Sequence, residues 1–109
     1  MNESLDEIER YVIKRVKEIR ESKGVTQEEL SLSIGKNIGF ISQIEAPSKK
    51  AKYNLIHLNI IAIALGCSIK DFIPDKPIPE KKYDIKEIKS KFPSANGKIV
   101  AEIVKKLVV

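Results

Sequence analysis

Apolar residues in the first two thirds of the chain recur at intervals of three and four, the period of helices with one buried face. Leu5, Ile8, Val12, Val16 and Ile19 form the first stripe, which runs to Lys23 and Gly24. Ser4 followed by Glu7 has capping-box spacing at its start, and Gly24 suits a helix C-cap. Thr26 and Glu29 repeat that spacing before a short second helix, roughly 27 to 34, whose inner face is Leu30 and Ile34 and whose stop is Gly35. Asn37 is a good N-cap for a third short helix ending near Glu45 or Ala46; Ile41 and Ile44 point inward, leaving Ile38, Gly39, Phe40 and Gln43 for other surfaces. Asn54 caps a fourth helix with Leu55, Leu58, Ile61, Ala62 and Leu65 as its inward stripe and Gly66 as a left-handed stop. Ser68 caps a fifth, short helix, 69 to 72, before Pro74.

Two stretches lack this period. Pro47 to Lys52 holds Pro, Ser and three lysines and reads as an exposed loop. Pro74 to Lys82, with three prolines and mixed charge, cannot bury a core and reads as a linker. The pattern thus predicts a compact domain over 1–73, a linker over 74–83 and an appendage over 84–109. Within the appendage, 84 to 91 has the pattern of a short helix and Phe92-Pro93 that of a break. Ile99, Ile103 and Leu107, beside Val100, Val104 and Val108, then stand at helical spacing. Their β-branched content keeps a terminal strand as the alternative. Such an apolar tail needs a cover, either a second copy of the chain or its own domain.

At 109 residues the chain is long enough for one core and too short for a second sizeable one. A hydrophobic fraction of 42% against 6% aromatics, with no Trp and one Met, makes that core aliphatic. Cys67 is the only cysteine, so no internal disulfide forms, which fits a reducing cytoplasm. No signal-peptide pattern opens the chain and no long apolar run crosses it, so neither export nor membrane insertion is expected. The net charge of +5 favours an anionic partner. Its distribution is more telling: residues 1 to 23 balance, whereas 36 to 53 carry Lys36, Lys49, Lys50 and Lys52 against Glu45 alone.

Helices two and three, separated by a turn at Gly35, preceded by a longer helix and followed by another, make the unit that presents an exposed helix to the DNA major groove. Counted from Gln27, the spacing of Leu30, Ile34, Ile41 and Ile44 supplies the interhelical core, and Ser31 is small where the two helices approach. Here the chain resembles the phage repressor and Cro family, often called XRE-like, over about residues 10 to 73. The resemblance rests on Val-Thr-Gln-Glu-Glu-Leu-Ser (25–31), Gly35, Ile41-Ser42-Gln43-Ile44-Glu45 and Ile61-Ala62-Ile63-Ala64-Leu65-Gly66-Cys67-Ser68. It implies an all-α, five-helix lambda-repressor-like bundle with a helix-turn-helix, here followed by a C-terminal helical appendage. It implies Gln27 as a phosphate clamp at the start of helix two, Gln43 as a base reader, and an Arg20–Glu45 pair that fixes helix three to helix one. Ile38 and Gly39 stand where the family commonly carries polar readers. Ile38 or Phe40 then suits a thymine methyl and Gly39 a close backbone approach, favouring a site that contains A·T pairs.

The residues expected to meet DNA are therefore Gln27, Lys36, Asn37, Ile38, Gly39, Phe40 and Gln43, with Lys49, Lys50 and Lys52 on flanking phosphates or simply solvated. His57 has no second ligand at metal spacing and reads as an exposed residue of helix four, and Cys67 as a small buried one. No nucleophile-base set and no Gly-rich phosphate loop occur, so neither catalysis nor a cofactor is expected. The function expected is sequence-specific binding of double-stranded DNA by a transcriptional regulator, a repressor acting as a homodimer, with no membrane partner. The alternatives are an antitoxin or other interaction module whose tail binds a partner protein, or the switch of a restriction-modification or mobile element.

Overall fold

The computed structural model describes residues 5–79 and 97–107. The chain divides into two compact units, 1–78 and 79–109. In the first, α1 (Glu7–Ser22), α2 (Gln27–Ser33), α3 (Phe40–Glu45) and α4 (Leu55–Leu65) are followed by a 3-10 turn, Ile69–Phe72. In the second, α5 (Gly97–Leu107) carries Ile99, Val100, Ile103, Val104 and Leu107 along one side, so this segment takes the helical form rather than the strand. The described residues are all helix, turn and loop, an all-α architecture. The expected helix over 84–91 and break at Phe92-Pro93 lie outside the described residues.

The caps explain where the elements start. In α2, Thr26 Oγ1 accepts from the Glu29 amide at 3.0 Å and Glu29 Oε1 accepts from the Thr26 amide at 2.8 Å. In α4, Asn54 Oδ1 accepts from the His57 amide at 2.7 Å, and His57 Nδ1 accepts from the Asn54 amide at 3.1 Å. Ser68 and Asp71 form the same reciprocal pair around the 3-10 turn. The first helix departs from expectation. Its N-cap is Asp6, whose amide donates to Glu9 at 3.0 Å, so the capping box lies two residues beyond Ser4-Glu7. The third helix also starts late. Asn37 does not cap it; its Oδ1 accepts from the Gly39 amide at 3.1 Å, and residues 37–39 turn before the helix opens at Phe40.

Val12 and Val16 of α1, Leu30 of α2, Ile41 of α3, Leu58, Ile61, Ala62 and Leu65 of α4 and Phe72 of the 3-10 turn form one buried cluster. Most of the expected stripes face it. Leu55 does not: at the first position of α4 its side chain projects past the end of the packed layer and is 76% exposed. Arg15 of α1 ties down the 3-10 turn by donating to the Asp71 carbonyl at 3.1 Å. Among the described residues no helix is long and apolar enough to cross a membrane.

Ser31 does more than save space. Its buried hydroxyl donates to the Gln27 carbonyl at 2.8 Å and accepts from the Ile41 amide at 3.0 Å, tying the first turn of α3 to α2. Tyr53 is the converse case, with a buried hydroxyl that has no partner among the described residues. Urea unfolding separates the two. Ser31→Ala orphans a buried donor and is expected to cost about 1–3 kcal/mol, whereas Tyr53→Phe removes an orphan and leaves stability equal or higher.

Candidate nucleic-acid interface

α2 and α3 meet through Ile34–Gly39, where Gly35 takes a left-handed conformation (φ 73°) that sends the chain sharply out of α2. α3 is then held from behind. Arg20, near the end of α1, grips the Glu45 carboxylate with Nε at 3.1 Å and Nη2 at 2.8 Å, while its Nη1 donates to the Val25 carbonyl at 2.8 Å. The two side chains are only 7% and 2% exposed. The carboxylate beside it makes the Arg20 guanidinium still harder to deprotonate. Gln27 joins this node: its Nε2 donates to the same Glu45 oxygen at 2.8 Å. One carboxylate therefore locks together the last turn of α1, the first residue of α2 and the last residue of α3.

At the start of α3 polar groups gather around Gly39. A methyl placed there would lie 3.7 Å from Asn37 Oδ1 and from Gln43 Nε2, and 3.9 Å from Ser42 Oγ. Its φ of −94° is open to any residue, so glycine leaves a shallow space rather than solving a backbone problem. Ile38, 54% exposed, stands beside this space, and Gln43 is exposed. Ser42, which sequence reasoning passed over, donates to the Gly39 carbonyl at 3.0 Å. The signal was its spacing, three residues after Gly39 and so on the same side of the helix.

Phe40 is turned elsewhere. It packs on the core, meets the His57 ring edge-on at 5.0 Å, and has Lys36 Nζ 5.5 Å from its ring centre. It shapes the start of α3 from inside, which leaves Ile38 as the apolar residue on the outer surface. His57 is correspondingly half-buried, wedged between Phe40 and Tyr53, and not on the exposed side of α4. The reason is its role as cap partner to Asn54, which swings the ring back over the helix start.

The basic loop is divided. Lys49 and Lys50 are exposed, whereas Lys52 Nζ pairs with Glu9 of α1 at 2.7 Å, holding that carboxyl below its usual range. Lys49 also borders an apolar groove, floored by Leu5, Ile13, Ile44 and Pro47, that Lys14 and Lys17 of α1 share. Those two lysines lie in the charge-balanced stretch, so only the fold could bring them beside the loop. Among the described residues no group of His, Cys, Asp and Glu is placed to hold a metal ion.

A helix-turn-helix family model matches residues 16–72. The chain belongs to the XRE-type helix-turn-helix family. The match starts at Val16 and ends at Phe72, both core residues, and contains Arg20, Gln27, Glu45 and the whole α2–turn–α3 unit. Comparison with curated proteins finds no match. The family is one of DNA-binding transcription regulators.

Two outcomes follow from this geometry. Replacing Glu45 by Ala strands a buried guanidinium and is expected to lower unfolding stability by about 3–5 kcal/mol, with Arg20→Lys unable to keep the two-pronged contact. Burial, then the charge of Lys36, hold the His57 pKa below its ordinary value near 6.5. The unfolded chain thus protonates first on acidification. The contribution of His57 is intact above about pH 6.5 and is lost as pH falls from there through the folded-state pKa. Thermal unfolding against pH should show this loss, and His57→Gln should flatten it.

Proposed function

We propose that this regulator is a repressor that binds double-stranded DNA sequence-specifically, as a homodimer, with α3 in the major groove. The observation that carries the reading is the two-sided construction of α3. Its rear is fixed by the Arg20–Glu45–Gln27 node, and its front carries Asn37, Ile38, Ser42 and Gln43 around a half-buried Gly39. A short helix that is both immobilised and polar on its free side suits reading base edges, where a side chain misplaced by an ångström loses its hydrogen bond.

In this reading Gln43 is the main hydrogen-bonding reader, Asn37 and Ser42 assist, and Ile38 takes a thymine methyl, so the operator contains A·T pairs. Gln27 keeps its amide nitrogen on Glu45 and offers its amide oxygen side and backbone to the DNA edge. Lys36, Lys49 and Lys50 meet flanking phosphates, and Lys52 does so only by leaving Glu9. Two copies read two half-sites about one helical turn apart, because one α3 contacts too few bases for high selectivity. Repression then follows from occupancy of a promoter.

α5 favours a second reading alongside the first. Its one-sided apolar stripe is the kind of surface an antitoxin or other interaction module offers to a partner protein. A second small protein that co-purifies with the wild-type chain and is absent with Ile103→Lys would support it.

Fluorescence anisotropy with duplex DNA from upstream of the gene, against a scrambled duplex, tests the main reading. Gln43→Ala should cost about 1–3 kcal/mol on the specific duplex and little on the scrambled one. Replacing Lys49 and Lys50 by Ala should weaken both alike and flatten the salt dependence by about 0.9 in log–log slope for each phosphate no longer neutralised. Equal affinity of the wild type for both duplexes would contradict the proposal.

A further inference from the structure

Leu5 and Ile44 are buried, 8% and 5% exposed, yet neither belongs to the cluster that forms the core. They face a separate space. Arg10 of α1 donates from Nη2 to the Leu5 carbonyl at 2.7 Å, which folds the chain before α1 back along the helix. Leu5 then joins Ile13 of α1, Ile44 of α3 and Pro47 of the following loop in the floor of a groove of about 320 Å³, open to solvent on one side. That volume lies at the small end of the range for small-molecule sites, which are concave, mostly apolar and furnished with a few convergent polar groups.

Here the groups that converge are cationic. Lys14 and Lys17 of α1 and Lys49 of the loop border the groove; all three are exposed and, among the described residues, in no ion pair. Elsewhere on the domain Arg15 is paired with Glu18, Arg20 with Glu45 and Lys52 with Glu9. Among the described residues that line the groove, Glu45 alone carries a carboxylate, and both its oxygens already accept from Arg20 and Gln27. Three ammonium groups held around one apolar floor repel one another. An anion seated among them relieves that repulsion, and an apolar body behind it takes the floor out of water.

We propose that this groove binds a small amphipathic carboxylate, its apolar body on Leu5, Ile13 and Ile44 and its head group among Lys14, Lys17 and Lys49. Neither half of the ligand suffices. A bare anion gains only screened contacts with exposed ammonium groups, and an uncharged chain leaves the three lysines unanswered. The groove ends at Ala46 and Lys49, directly after α3, so its occupancy is felt at the DNA surface. In the DNA-binding reading Lys49 meets a phosphate; a bound carboxylate occupies that lysine and sets a negative charge beside the DNA backbone. Ligand and DNA then weaken each other by the same factor. That coupling rests on the DNA-binding reading, whereas uptake of the ligand by the free protein does not, so either can fail alone.

Octanoate is the probe, with octanol as the tail alone and acetate as the head alone. Backbone amide shifts of the isotopically labelled full chain, titrated into the low millimolar range without DNA, should saturate with octanoate on Ile13, Ile44 and Ala46. Octanol and acetate should each bind roughly ten-fold more weakly or worse. Replacing Lys14 and Lys17 together by Ala, at exposed positions and with circular dichroism confirming the fold, should weaken octanoate roughly five- to ten-fold, the scale of two exposed ion pairs. The same variant should leave the response to octanol unchanged. Octanoate should also raise the Kd of the wild type for the specific duplex, and an unmoved Kd overturns the coupling. No saturable shift at the groove overturns the proposal. So do shifts confined to α5, octanol binding as tightly as octanoate, or a folded K14A/K17A variant that takes octanoate as the wild type does.

Discussion

A single buried carboxylate organises the surface of this protein. Glu45 accepts two hydrogen bonds from Arg20 and one from Gln27, so α1, α2 and α3 are all referenced to the same two oxygen atoms. The arrangement is costly to bury and more costly to break, which makes it a poor source of net stability and a good source of fixed geometry. α3 has only six residues, too few to be stable by itself, and its orientation is inherited from Glu45 at one end and from the Ser31 hydroxyl at the other. Phe40, pressed on His57, anchors the start of the same short helix to the core. The outer residues can then be polar, small or absent without loss of position. This explains how Gly39 is tolerated at the start of α3.

Much of the fold was legible in the sequence because its signals are local. The Thr26–Glu29 and Asn54 caps, the stop at Gly66 and the stripe from Leu58 to Leu65 each depend on residues a few positions apart. The errors came where two local signals competed. Ser4-Glu7 and Asp6-Glu9 offer overlapping capping boxes, and the second starts the helix. Asn37 suits an N-cap and an Asx turn equally well by composition, and the turn prevails because the chain must change direction after Gly35. Leu55 fits the inner stripe by period but lies beyond the end of the layer that the stripe packs against.

The site was legible in its framework and less so in its detail. The family resemblance implied the Arg20–Glu45 pair and set Gln27 at the start of α2 as a phosphate clamp; that the Gln27 amide joins the same carboxylate is a tertiary fact with no local signal. The pairing of Lys52 with Glu9 and the approach of Lys14 and Lys17 to Lys49 join residues 32 to 43 positions apart, and charge counting along the chain cannot find them. His57 misled for a related reason. Nothing in its sequence neighbourhood distinguishes a solvated histidine from one that closes a cap and meets two aromatic rings.

The central claim is that α3 and the turn before it form the surface that meets DNA. Backbone amide shifts of the isotopically labelled full chain, followed while duplex DNA from upstream of its gene is added, test this residue by residue. The account predicts that the largest shifts fall on Gln27 and on residues 36–43, with a second set on Lys49 and Lys50. Shifts confined to α5, with residues 36–43 unmoved, would contradict it.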